Sequence, residues 1–389
     1  MVKTFRLDIC LVEEQFEMVQ YVEKGRKPRW RYFPKEGHPQ AVTRFDGTRI
    51  TPGFLQAIAY EVYVKNVTFG LLHQWLGDMG MTVSENTLRN WLKKGRKYLD
   101  RMVVELKRIA LEKDAVVNCD ETWCKVRKYD RYKKCYMWVL VNKAERLVIF
   151  FYEDGSRGRD VLTNFLGDAE LKALMSDGYN AYVFIGDELK THRYKDTDHQ
   201  VCLAHVRAKF VKARMEGGDK RADVFLDNIN RLFRFEREYD REMITDGERT
   251  RRRQGLPTME AMINLRANLL QELKSEEEQK SCYMREALNY LHKFWNEAFT
   301  YIKDGRYPIS NNLAERAVRP FTTKRKNSLH FGSDEGAEIA AVYHSIISTV
   351  KLQGRSAWDY LGKFFTGIFN GCRDFLSLTP QNIDLAVCQ

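Results

Sequence analysis

The stretch NCDETWCKV, residues 118–126, places two acids, Asp120 and Glu121, inside a run that otherwise reads as sheet. Ala115-Val116-Val117 precede it, and the strongly apolar CYMWVLVN, residues 135–142, follows. A carboxylate at the edge of a sheet core has two explanations. It sits in a turn or on a solvated face, or it holds a cation. One acid does not decide between them, so partners must come from elsewhere in the chain.

The segments around it set the fold class. AVVNCDE, KCYMWVLVN and RLVIFFYED are runs of β-branched and aromatic residues separated by charged turns, which predicts an antiparallel meander. RGRDVLTNFL reads as a helix, and LKALMSDGYNAY as a buried run ending at Asp177-Gly178. HQVCLAHVRAKFVKA reads as a strand passing into a helix. Residues 114–205 are therefore expected to form a mixed α/β sheet with Asp120 on its first strand. From about 206 to 302 the apolar residues recur three and four apart, as in LDNINRLFRFEREYDREM, and an all-helical insertion is expected.

Residues 51–110 read as a helical domain. Thr51 is placed as an N-cap with Pro52 at the first helical position. Phe69, Leu72, Leu76 and Met79 fall at helical spacing before Gly80. Ser84 then caps a helix that buries Leu88, Trp91 and Leu92 and carries Arg89, Asn90, Lys93 and Lys94. This outline fits a DNA-binding helix-turn-helix, and it fits equally a helical hairpin packed on the next domain. Residues 1–50 contain the basic, aromatic EKGRKPRWRYFPKEGHPQ and read as an irregular arm. The expected division is 1–50, 51–110 and 111–389, with the insertion inside the last.

Composition narrows the partner. The 389 residues carry a formal net charge of +11, which favours a polyanion, nucleic acid before membrane. No apolar run approaches the roughly 18 residues that span a bilayer, and acids interrupt the N-terminus, so a cytoplasmic protein with no membrane partner is expected. The 8 cysteines form no CxxC pair. Cys202 and His205 in VCLAH are half of a metal site, with nothing nearby in sequence to complete a zinc tetrad.

Chemistry concentrates in YPISNNLAERAVRPFTTKRKNSLHFGS, residues 307–333. Asn311 and Asn312 are good N-caps, and LAERAVR starts a helix with Glu315 in its first turn. An acid there often serves only the helix dipole. Taken with Asp120 and Asp177, it makes three acids that could share divalent ions, and two Mg2+ or Mn2+ ions suit in-line phosphoryl displacement. Arg316, Arg319, Lys324, Arg325 and Lys326 beside it would carry nucleic-acid phosphates.

CDET, SDGYNAY, CLAHVRAKF, PISNNLAERAVRPFTTKRKNSLHFGS and AVYHSIISTVKLQG closely resemble, in order, blocks of the IS66-family insertion-sequence transposases. The resemblance covers roughly residues 50–370. It implies a ribonuclease-H-like fold with a helical insertion, preceded by a helical domain. It also implies a DDE triad of Asp120, Asp177 and Glu315 that binds the metals. The implied partners are double-stranded DNA at element ends and target, accessory proteins of the same element, and further copies of the chain. It leaves Cys202 and His205 as structural or DNA-contacting, with His205 expected to be buried against a backbone carbonyl. Longer family members carry a coiled-coil-like and cysteine-rich region before the helical block; this chain has only Cys10 there, as in a short or truncated variant. A non-catalytic, domesticated DNA-binding protein and a hydrolytic nuclease are the competing readings.

Overall fold

In the computed structural model, which describes residues 11–22, 24, 26–32, 44–275 and 280–384, the chain divides into two compact units. One is Met1–Met102 with Gln353–Gln389, and the other is Val103–Leu352. Part of the expected N-terminal arm is ordered as a small antiparallel hairpin of β1 (Met18–Tyr21) and β2 (Arg29–Tyr32). Cys10 and residues 33–43 lie outside the described residues.

The first helices start where hydroxyl caps put them. In α1 (Pro52–Tyr63) the Phe54 amide donates to Thr51 Oγ1 at 3.1 Å. In α2 (Phe69–Asp78) the Leu71 amide donates to Thr68 Oγ1 at 3.3 Å. Ser84 accepts from the Thr87 amide at 3.2 Å to open the long α3 (Glu85–Ala110). Leu88, Trp91 and Leu92 are buried as expected, whereas Phe69 and Met79 are only half-buried.

The second unit is built on a sheet ordered β5-β4-β3-β6-β7. Strands β3 (Val116–Lys128), β4 (Arg131–Asn142) and β5 (Leu147–Glu153) form the antiparallel meander. Helix α4 (Arg159–Leu166) crosses over to β6 (Ala173–Ser176), which runs parallel to β3, and β7 (Asp198–Val201) runs parallel to β6. Side chains alternate across β3. Even positions face a core shared with later helices, whereas Glu121 on the other face meets Tyr182.

From β7 the chain enters α5 (Leu203–Met215) and a helical block of α6 (Ala222–Glu242), α7 (Asp246–Arg253), α8 (Leu256–Lys274), α9 (Cys282–Lys293) and α10 (Trp295–Phe299). Its core includes Phe210, Phe225, Ile229, Leu265 and Leu288. Helix α11 (Asn312–Ser328) then returns to the sheet, burying Ala314, Val318 and Phe321 against Cys124, Val126, Met137 and Val139. Helix α12 (Asp334–Leu352) lies along β5. Its Ser345 and Thr349 hydroxyls accept from the Phe150 and Val148 amides at 2.8 and 3.0 Å, so the outward groups of the edge strand are satisfied.

Residues 353 onward, expected in the sheet domain, belong to the first unit instead. There α13 (Ala357–Phe369) packs on α1, and Gln56 Nε2 donates to the Trp358 carbonyl at 2.9 Å. A contact between residues 302 positions apart leaves no local signal in sequence.

The helical block is anchored by one buried cation. Arg253 donates to both oxygens of buried Glu236 at 2.8 and 2.7 Å, and to the carbonyls of Tyr301, Asp304 and Tyr307 at 2.7, 2.6 and 3.0 Å. These carbonyls lie on the segment that leads into α11. Removing one partner of a buried pair strands the other. Arg253→Ala is expected to lower unfolding free energy by about 3–5 kcal/mol, read by urea denaturation. A loss within 1 kcal/mol, as is usual for exposed pairs, would show that this network is dispensable.

Candidate active site

The parallel pairing of β3 with β6 sets the site. Val116, Val117 and Asn118 lie opposite Ala173, Leu174 and Met175. Continued two residues, that register puts Asp120 opposite Asp177, just past the end of β6. Asp120 lies on the α11 face of β3, two residues from Asn118, whose Nδ2 donates to Asn311 Oδ1 at 2.9 Å. One helical turn after Asn311 comes Glu315, whose amide donates to the Asn311 carbonyl at 3.1 Å. Asp120, within β3, thus lies beside the end of β6, and the Asn118–Asn311 bond brings the start of α11 to the same strand.

The electrostatics agree. Burial first, then the charge of Glu121, pushes the Asp120 carboxyl up to about 8; Asp177 and Glu315 push in the same direction. Only the Glu121 amide, 2.8 Å from Asp120 Oδ1, opposes them. A carboxyl kept protonated by burial and by neighbouring acids is one from which a hard divalent cation would displace the proton.

Asn311 is not the side-chain cap expected from sequence. It makes no capping bond to α11. Fully buried, it donates from Nδ2 to the Cys119 carbonyl at 2.8 Å, and its amide donates to Cys202 Sγ at 3.1 Å. Asn312 is helical and exposed.

The loop carrying Asp177 is clamped from several sides. The Tyr179 amide donates to Asp177 Oδ1 at 2.9 Å, and Tyr290 Oη donates to the Asp177 carbonyl at 2.5 Å. Gly178 has φ +78°, and a Cβ there would meet Tyr290 Oη at 2.9 Å, so glycine is needed for both backbone and space. Arg157 lies 3.7 Å over the Tyr179 ring and donates from Nε to Glu121 Oε1 at 2.7 Å, while Tyr182 donates to the other Glu121 oxygen. Burial still holds the Glu121 carboxyl above its usual range despite these donors. None of Tyr290, Arg157 or Tyr182 was singled out from sequence. The SDGYNAY block hinted at the turn, but its partners come from distant elements.

Cys202 and His205 stand beside this cluster. Cys202, His205 and Glu315 present ligand atoms within 4.8 Å of one another. His205 is half-exposed, with Nδ1 lacking a hydrogen bond and 3.7 Å from Glu315 Oε1. The expected backbone carbonyl partner is therefore replaced by a carboxylate. Cys202 suits a structural role better than a metal, because burial pushes its thiol up to about 11 and its sulfur accepts from Asn311. A second cluster, Cys135, Asp154 and Asp334, is spanned by the Lys128 ammonium, which pairs with both carboxylates.

The basic residues divide. Arg316, Arg319 and Lys326 are exposed along α11. Lys324 is 6% exposed, and burial pushes it down to about 7, so the expectation that it reaches phosphate is corrected. Arg325 donates to Thr122 Oγ1 at 3.0 Å and the Trp123 carbonyl at 2.6 Å, and stacks 4.1 Å over Trp123. In the first unit Arg89, Asn90 and Lys93 are exposed on α3. Arg89 pairs with Glu85 at 2.5 Å, and Lys94 donates to the Asp46 carbonyl at 2.7 Å.

A sequence model described as "Transposase IS66 family" matches residues 47–339. Among curated proteins, the uncharacterized protein y4jD of Sinorhizobium fredii (strain NBRC 101917 / NGR234) is 25% identical over 350 residues, covering 85% of this chain and 65% of the relative. The uncharacterized protein y4qI of the same strain is 24% identical over 327 residues, covering 82% of this chain and 58% of the relative. The chain thus spans less than two thirds of the length of either relative.

The raised Asp120 carboxyl has a stability consequence. Its ordinary value is 3.8 and its folded value about 8. Between these the folded state holds the proton more tightly, so the stability of the neutral form is complete below 3.8 and is lost as pH rises to about 8. In chelator, Asp120→Asn is expected to flatten the fall in Tm between pH 5 and 8. At pH 8 it should raise Tm by about 2–4 °C or more, the shift about 1 kcal/mol gives in a domain of this size. Parallel pH profiles for the two proteins would mean that Asp120 is already ionised in the fold at neutral pH.

Proposed function

The chain belongs to the IS66 transposase family, and we propose that it is a DDE-type transposase that cleaves DNA at element ends and joins them to a target. The observation that carries this reading is the β3–β6 register that sets Asp120 beside Asp177, together with the upward push that both Asp177 and Glu315 exert on the Asp120 carboxyl. A ribonuclease-H-like assignment of the sheet is supported by its order. The first strand of the meander is central, two antiparallel strands lie to one side and two parallel strands to the other. The helical block between the second and third acids fits the same assignment.

In this reading the three carboxylates hold two magnesium or manganese ions. Such ions supply Lewis acidity for in-line phosphoryl displacement. Asp120 within β3 and Asp177 just past the end of the neighbouring β6 form the fixed part of the site. Glu315 closes it from the helix, with His205 Nδ1 beside its carboxylate. Tyr290 and the Arg157–Glu121 pair fix the Asp177 turn, so its carboxylate arrives already oriented. Arg316, Arg319 and Lys326 are assigned to sequence-independent phosphate contacts. Arg89 and Asn90, with Lys93 and Lys94 behind them on α3, are assigned to recognition of the element end. The partners are double-stranded DNA and further copies of the chain on it, with accessory proteins of the element. Among the described residues no helix is long and apolar enough to cross a membrane.

Asp177→Asn keeps size but removes a charge needed to hold a cation. It should cut cleavage and joining in magnesium or manganese at least about a hundredfold, comparable with losing one electrostatic stabiliser, while end binding stays near normal. A mutant that cleaves at the wild-type rate removes Asp177 from the mechanism. A wild type that binds ends but never cleaves, on DNA with its native flank and accessory proteins present, favours a domesticated binder instead.

Binding separates the two basic groups. Arg316→Ala, Arg319→Ala and Lys326→Ala together should weaken every DNA and reduce the salt slope by roughly 0.9 per lost duplex contact. Arg89→Ala with Asn90→Ala should instead reduce discrimination between element ends and random DNA. An unchanged discrimination ratio would leave α2 and α3 as a packing hairpin.

A further inference from the structure

The β3–β4 hairpin reaches well past the rest of the sheet. Strand β6 pairs with β3 only as far as Asn118, while β4 pairs as far as Lys128. The inner face of this extension is buried. Cys124, Val126 and Cys135 join the core with Phe321, and Phe331 pairs with β3, its amide donating to the Lys125 carbonyl at 2.8 Å. The outer face is therefore held on a rigid support.

That outer face is built from three cross-strand pairs. Trp123 lies opposite Tyr136, Lys125 opposite Lys134, and Arg127 opposite Tyr132. Like charges directly opposite on a strand pair destabilise a hairpin, yet no carboxylate neutralises Lys125, Lys134 or Arg127 among the described residues. The other two lysines here, Lys128 and Lys133, are paired with Asp154 at 3.0 and 3.2 Å. The hairpin thus neutralises the two lysines of its inner side and leaves the cations of its outer side facing solvent. Between them are exposed rings: Trp123 at 38%, Tyr132 at 56%, and Tyr129, at the tip, fully exposed. Tyr132 meets His330 edge-to-face at 4.7 Å and Trp123 lies under Arg325, which hold these rings in place while they stay exposed, and a simple solvated face does not need the opposed lysines.

We propose that this outer face is a DNA platform, on which Lys125, Arg127 and Lys134 hold phosphates and Tyr132 and Tyr129 stack on bases unpaired beside the cut. The proposal rests on the transposase reading and names the surface that carries the flanking strand. Successive same-face positions on a strand advance about 6.8 Å, so Lys125 and Arg127 form a row of cations along which a nucleic-acid backbone can lie. Rings interleaved with cations are the usual means of holding single strands without reading their sequence. The platform begins three residues beyond Asp120 on the same strand but on its other face, so a DNA strand leaving the acids reaches it around the edge of β3 that β6 leaves unpaired beyond Asn118. Arg325, stacked on Trp123, links it to the basic helix α11.

The test is binding in chelator, across several salt concentrations, to a duplex element end and to the same end with its flank unpaired. Wild type should prefer the unpaired flank. The triple variant Lys125→Ala, Arg127→Ala, Lys134→Ala should lose roughly 0.7 of salt slope per contact, about two units in all, on the unpaired DNA. Its Tm should hold or rise, since two opposed charges are gone; this separates lost contacts from lost fold. Tyr132→Ala should reduce the preference for the unpaired flank at least about fivefold. An unchanged salt slope in the triple variant, or no preference in wild type, overturns the platform while leaving the transposase reading intact. A wild type that binds neither DNA overturns both.

Discussion

One buried residue, through its side chain and its backbone amide, joins the parts on which everything else depends. Asn311 links β3, through Asn118 and the Cys119 carbonyl, to the start of α5, through Cys202, and begins the turn that carries Glu315. Asn118 lies 193 residues before Asn311, and Cys202 lies 109 residues before it. Each bond is modest, about 1 kcal/mol net, but leaving any of these buried groups unmatched costs more than making the bond gains. The junction therefore fixes direction as much as stability. With Asn311 in place, the first turn of α11 has one way to face the sheet.

Such rigidity is needed because the neighbouring acids oppose it. Carboxylates crowded in a half-buried site repel one another, and Asp120 bears that strain as a retained proton. Glu121 shows the contrasting solution on the opposite face of the same strand, where Arg157 and Tyr182 satisfy both its oxygens. Adjacent residues of one acidic pair thus take different tasks, one structural and one open to a ligand. A site that sacrifices stability in this way is common where chemistry is performed.

The alternation of apolar runs carried the strands, and hydroxyl caps carried the helix starts, because both are local. Strand-end logic found Asp177, which follows β6, but not the placement of Asp120, since β3 runs on past it to Lys128 with Cys124 and Val126 buried. Lys324 was misread because its charge was weighed above its spacing. It lies three residues after Phe321, on the stripe that already holds Ala314 and Val318. Asn311 was read as a cap because its true partners, Asn118 and Cys119, are invisible from its neighbourhood. The hairpin face was missed for a similar reason. Its charge is plain in KVRKYDRYKK, but only the register shows Lys125 opposite Lys134.

The hydroxyls of Ser345 and Thr349 have a bearing on how the chain is made. They close the outward side of β5, and they leave the ribosome some two hundred residues after the strand they protect. Until then the meander presents Val148 and Phe150 with open backbone groups, a template for another nascent chain. A gene copy interrupted before α12 would yield a polypeptide with its acids present and its sheet edge bare. Such a fragment is expected to be prone to aggregation and proteolysis, so loss of the far end of the gene weakens the near end as well.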